Sequence, residues 1–146
     1  MNTAISDNSN INLANCVFQP TKNGAGVSGT VYFTQYNGFV SVIASVRGLN
    51  NSVSKRGFHI HSFGDLRDPS GPSIGAHFNP FEVDHASPPT ENRHVGDLGN
   101  LQFVDANGTS WYNGNYSELA LSGPNSIIGR AVAIHSSPDD GCTQRK

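Results

Sequence analysis

Several things are scarce in this sequence, and each scarcity closes off a class of protein. There are two cysteines, Cys16 and Cys142, far apart in the chain. That is too few for a disulfide-built scaffold, and in a reducing compartment two free thiols are the default. Cys16 sits in an apolar run, where a buried thiol is common. Charged residues make up only 14 % of the chain, with a formal net charge of -2 and no basic run. Nucleic acid and anionic membrane surfaces are therefore poor partners. No segment is long and apolar enough to span a bilayer. The opening MNTAISDNSNINLANC lacks the basic and then apolar stretch of a secretory leader. A cytoplasmic location is the expectation, and the sequons NNS, NGT and NYS then read as turn residues.

Helical periodicity is also missing. What replaces it is period-two alternation. In VSGTVYFTQ, Val27, Gly29, Val31 and Phe33 share one face, while Ser28, Thr30, Tyr32 and Thr34 share the other. Similar runs fall at 12–19, 27–35, 39–46, 57–63 and 127–135, with two more in 99–112 around an ANG turn. These are seven strands with no helix and no internal repeat. They predict an all-β Greek-key sandwich or flattened barrel. At 146 residues the chain suits one domain with a real core, spanning 1–146, and residues 1–11 read as a loose N-terminal extension. The stretch 64–93 carries Pro69, Pro72, Pro80, Pro88 and Pro89. It cannot be a central strand or a long helix. A loop this long inside a domain is usually functional or disordered.

The histidines give that loop a purpose. His59 and His61 alternate on one predicted strand, so they share a face roughly 6–7 Å apart. Taken alone, such a pair is more often a chance feature of a wet surface. But His77 and His85 lie in the long loop, His94 follows it, and His135 closes the last strand, so all six histidines are accounted for. Asp97 lies three residues past His94. His77, His85, His94 and Asp97 could form a His/carboxylate site of the kind zinc prefers. The strand residues His59, His61 and His135 would form an all-imidazole site suited to copper. Spacing alone leaves open whether these residues hold one metal or two.

Four segments, GFHIHSFGD, GAHFNP, HVGDLGN and IIGRAVAIH, closely resemble in content and order the signature segments of the copper/zinc superoxide dismutases. The resemblance runs from about residue 12 to 141. It implies copper ligands His59, His61, His77 and His135, and zinc ligands His77, His85, His94 and Asp97, with His77 shared between the metals. It implies that Asp139 holds His59 and His85 in orientation from behind. It further implies conversion of superoxide to dioxygen and hydrogen peroxide by copper redox cycling, a homodimer built around Phe63-Gly64 and Ile128-Gly129, and a copper chaperone for loading.

The sequence also departs from the family pattern. The region LRDPSGPSIGA (66–76) lacks the expected cysteine, so the family disulfide cannot form as usual. The family continues past DDG into an eighth strand that carries an arginine over the copper. That strand is absent here, and Arg145 and Lys146 occupy no equivalent context. Arg93 and Arg130 are expected to be structural. Reduced activity and a weakened or altered dimer are the corresponding expectations. The alternative is a non-catalytic metal-binding relative: a copper carrier, a decoy or a chaperone-like domain. A zinc hydrolase fits poorly, because no general base stands out beside an open zinc position.

Overall fold

The computed structural model describes residues 11–142, apart from 23, 25, 51, 104 and 106. The expected loose extension lies outside the described residues except for Ile11, as do Arg145 and Lys146. Seven strands form: β1 Leu13–Val17, β2 Ser28–Tyr36, β3 Phe39–Arg47, β4 Lys55–Ile60, β5 Asp97–Phe103, β6 Thr109–Tyr116 and β7 Val132–Ile134. One short 3-10 turn, Pro72–Ile74, interrupts the long loop. The strands make one sheet in the order β1-β2-β3-β6-β5-β4-β7, and every pairing is antiparallel. This is the all-β Greek-key barrel that the alternation predicts. The chain crosses from β3 past β6 and β5 to reach β4, and its long connections are those from β4 to β5 and from β6 to β7.

Alternation explains the core. Val31 and Phe33 on β2, and Val40, Val42, Ala44 and Val46 on β3, all point inward and are buried. They pack with Phe58, Ile60, Leu98, Leu101 and Leu121. The sheet curls until its two end strands face each other across a narrow cleft, lined by Ala14 and Cys16 on one side and Val132 on the other. Among the described residues no strand lies between them. The Cys16 thiol reaches the Val132 backbone there, and burial pushes its pKa up.

Strand bounds shift from those expected, and two of the shifts bear on the histidines. The last strand is only three residues long, because Ile127 to Arg130 form a turn closed by the Arg130 N–H on the Ile127 carbonyl (3.2 Å). β4 ends at Ile60, and His61 continues it only as a bridge to His77. That bridge matters, because it brings the long loop against the strand that carries His59. Phe78 N–H bonds the Ile60 carbonyl at 2.8 Å, Gly96 N–H bonds Phe78 O at 2.9 Å, and Ile60 N–H bonds Gly96 O at 2.9 Å. Gly96 is required at this crossing, since a Cβ there would stand 2.2 Å from the Ile60 carbonyl oxygen. Arg93 and Arg130 are structural, as expected. Arg93 bonds the carbonyls of Thr90 and Asp97 and pairs with Glu118. Arg130 bonds the carbonyls of Ser62 and Ser126 and stacks over the Phe78 ring at 3.5 Å.

Candidate metal centre

All six histidines converge where β4, the start of β5, the end of β7 and the long loop meet. The first cluster contains His77, His85, His94 and Asp97, with one ligand atom from each lying within 4.8 Å of the others. Asp97 is its hub, and its side chain is fully buried. Its Oδ1 lies 2.8 Å from His77 Nδ1 and 3.2 Å from His94 Nδ1, and its Oδ2 lies 2.8 Å from His85 Nδ1. The backbone N–H groups of Ala86 and His94 also bond Oδ2. Burial alone would raise the Asp97 pKa. The His77 hydrogen bond and the nearby His85 and His94 outweigh it, and the carboxyl sits below its ordinary value.

The second cluster contains His59, His77 and His135, again within 4.8 Å. His61 does not join that tight group, but it stands at its edge. Its Nε2 is 3.3 Å from His135 Nε2, its ring is 5.0 Å from that of His77, and its Nδ1 bonds the Gly75 carbonyl at 2.7 Å. Burial and mutual crowding push His59 and His135 down to about 4. Burial also lowers His61. These rings are therefore neutral near pH 7, which is the form that binds metal. Gly57 leaves room for the crowd, since a Cβ there would meet His59 Cε1 at 2.9 Å and His135 at 3.5 Å.

Asp139 ties the clusters together. Its Oδ2 accepts from His59 Nε2 at 3.0 Å and its Oδ1 from His85 Nε2 at 2.8 Å. Its side chain is fully buried. Burial opposes its charge, but the Gly141 N–H and the two imidazoles hold its pKa well below the usual carboxylate range. For His85, burial works against protonation, yet Asp139 and Asp97 raise its pKa overall.

The donor set passes a direct test of fit. His59 Nδ1 and His94 Nδ1 are buried and lack a hydrogen-bond partner within the protein. Buried nitrogens without partners are costly, and here each faces a cluster of further donors. A divalent ion in each cluster would satisfy them. The first cluster offers the nitrogen and carboxylate donors zinc favours, and the second offers imidazoles, which suit copper.

The structure adds two residues to those expected from the sequence. Arg56 is buried at 6 % exposure. Its Nη1 donates to the carbonyls of His135 (3.3 Å) and Ser136 (2.7 Å), and its Nη2 to the carbonyl (3.2 Å) and side chain (2.7 Å) of Asn50. It fixes the end of β7 where His135 leaves the strand. Asn100 clamps the segment bearing Asp139. Its Nδ2 donates to the Asp139 carbonyl at 2.9 Å, and its Oδ1 accepts from the Asp139 N–H at 2.8 Å. Local sequence could flag an arginine that interrupts an inward-facing pattern. Nothing local points from Asn100 to a residue 39 positions later.

Comparison with known proteins agrees with this geometry. The family model for copper/zinc superoxide dismutase (SODC) matches residues 27–146. A solved structure titled "Crystal Structure Analysis of the clock protein EA4" is similar at 40 % identity, with a TM-score of 0.81, covering 92 % of this chain and 81 % of that one. With that match running from β2 to the last residue, and six histidines gathered as the signature segments imply, the chain belongs to the copper/zinc superoxide dismutase family.

Proposed function

We propose that this chain is a superoxide dismutase that uses both metals. His77, His85, His94 and Asp97 would hold zinc, and His59, His61, His77 and His135 would hold copper. The observation that carries this reading is the position of His77. It belongs to both donor clusters, with Nδ1 on Asp97 and its ring 4.1 Å from that of His59. Copper, when bound, supplies the one-electron chemistry that dismutation needs. The chain's own residues do the remaining work. Asp139 holds a proton on Nε2 of both His59 and His85, which leaves the opposite nitrogen of each ring free to ligate. Arg56 fixes the backbone of His135. Asp97 and the loop lattice at Gly96 hold His77 between the two clusters.

Exposed Phe63 and Ile128, brought together where Gly64 packs on the Gly129 carbonyl, support a homodimer of the family kind. A second reading has one observation in its favour: the similar solved protein is titled a clock protein. In that reading the chain binds metal but does not turn over superoxide. One sample decides between them, measured for metal content and for its effect on superoxide decay. Two metals per chain with accelerated decay support the dismutase. Two metals without acceleration support the second reading. Failure to retain metal in either cluster sinks both.

A further inference from the structure

His61 takes its orientation from a backbone carbonyl. The Gly75 oxygen can only accept, so at 2.7 Å it holds the ring proton on Nδ1. Nε2 keeps its lone pair and lies 3.3 Å from His135 Nε2, at the edge of the second cluster. If that carbonyl turns away, nothing holds the proton on Nδ1, and a proton on Nε2 blocks ligation.

The carbonyl belongs to a residue with freedom to turn. Gly75 has φ 75° and ψ -162°, a region open essentially to glycine. Glycine also reaches many other conformations at little cost, so its neighbours must fix it. Directly before it stands the 3-10 turn Pro72–Ile74, whose Pro72 carbonyl takes the Gly75 N–H at 3.1 Å. No cysteine lies between 57 and 77, so no disulfide ties this turn down. Ser73, in the middle of the turn, is half-buried. Its Oγ donates to the Asp65 carbonyl at 2.6 Å and accepts from the Asp68 N–H at 3.3 Å. Nearer the metal centre, the Phe63 N–H bonds the Ile74 carbonyl and the Ser62 N–H bonds the Ala76 carbonyl, both at 2.9 Å. These rungs form a neck that ends at His61 and His77, and Ser73 closes its outer end.

Resting on the two-metal reading of the centre, we propose that Ser73 is a positioning residue for the second cluster. Its hydroxyl anchors the turn that aims the Gly75 carbonyl at His61, and so keeps His61 Nε2 available to copper. The first cluster receives nothing from this chain of bonds: His85, His94 and Asp97 hold one another through the Asp97 carboxylate. Ser73 therefore acts on one metal and not on the other.

The test uses the full chain with Ser73→Ala, Ser73→Thr and, as a control, Ser70→Ala, which removes only an exposed hydroxyl on Asp68 Oδ1. Competition with a chromophoric chelator should show copper affinity lower by about tenfold in Ser73→Ala, the low end for loss of an orienting bond, with zinc affinity unchanged. The Cu(II) electron paramagnetic resonance spectrum should change with it, and Ser73→Thr should restore both. In the metal-free protein, nitrogen-resolved NMR reads the His61 Nδ1–H directly. Its exchange with water should be slow in the parent, in Ser73→Thr and in Ser70→Ala, and about tenfold faster in Ser73→Ala, as loss of one hydrogen bond implies. A parent with its His61 proton on Nε2 overturns the proposal without any variant, and so does equal exchange in Ser73→Ala and the parent. Where the parent binds copper, unchanged copper affinity in Ser73→Ala also overturns it, as does an equal loss of both metals, the mark of a general loop staple. A parent that takes up no copper sinks the dismutase reading, and Ser73 then stands or falls on the exchange measurement.

Discussion

Replacing Asp139 by asparagine changes one atom and should loosen one metal more than the other. The carboxylate accepts three hydrogen bonds: His85 Nε2 (2.8 Å) and Gly141 N–H (2.8 Å) on Oδ1, and His59 Nε2 (3.0 Å) on Oδ2. An amide has one oxygen to offer and presents an NH2 group on its other side. The Gly141 N–H cannot move its hydrogen, so the amide oxygen stays at Oδ1 with His85. The NH2 then faces His59 Nε2. Two donors cannot pair, so His59 must transfer its proton to Nδ1, the buried nitrogen without a partner that faces the second cluster. That tautomer blocks ligation. Loss of one such orienting bond costs about 10- to 100-fold in metal affinity, or ~1.4–2.7 kcal/mol. Competition against a chromophoric chelator, run separately with copper and with zinc, reads both sites. The expected outcome is a copper affinity lower by that factor with a smaller change for zinc. If Asp139→Asn binds copper as tightly as the parent, the tautomer argument is wrong. If zinc weakens more than copper, the amide has settled the other way round.

Three further outcomes follow from the same geometry. Chelation should free the loop 64–93 for proteolysis and lower the melting temperature. Metal at about 1,000 times its dissociation constant adds ~4 kcal/mol, worth roughly 8–16 °C for a chain of this size, and equal protease resistance with and without metal would contradict it. Arg56→Met leaves the His135, Ser136 and Asn50 carbonyls without their donor, so it should cost about 3 kcal/mol in denaturant titration, while Arg56→Lys should recover part of that. For the metal-free protein, His59 and His135 sit at about 4 when folded against 6.5 for the ordinary side chain. The unfolded chain therefore binds protons that the folded chain refuses, and this contribution to stability is intact above about pH 6.5 and lost as pH falls towards 4. Melting temperatures across that range should rise with pH, and a flat profile would refute the burial of those rings.

Much of this was legible in the sequence because it is written in period two and in rare residues. Val31, Phe33, Val40 and Val42 alternate with polar neighbours, so strand and inner face are fixed together. The histidines are few enough for each address to count. What was less legible depends on encounters between distant segments. The short β7 follows from a turn at Ile127–Arg130 that pays for itself with the Arg130 stack on Phe78, a residue about fifty positions earlier in the chain. The place of His61 at the edge of its cluster, not inside it, follows from the Gly75 carbonyl, which takes one of its nitrogens. Only the carbonyls of the returning chain make Arg56 an interior cation. Whether the spacing meant one metal or two also depends on the third dimension, because it turns on which two clusters the ring of His77 touches.

The charge balance of the centre explains why such a crowd is kept. Six imidazoles stand with ring centroids 4.1–5.7 Å apart wherever two of them touch, and two fully buried carboxylates stand among them. Protonating the rings is opposed by burial and by the neighbouring rings at His59 and His135, while the carboxylates are held ionised. At neutral pH His59, His61 and His135 are therefore neutral donors beside two negative charges. Desolvating those charges is expensive unless a cation compensates them. An isolated fold gains nothing from this arrangement, and two of its buried nitrogens lack partners. A divalent ion in each cluster would remove both costs and still leave a net positive centre, because four positive charges would meet two carboxylates and the imidazolate of a shared His77. The same residues that make the metal-free protein expensive to fold would thus make a metal-loaded centre attractive to a small anion.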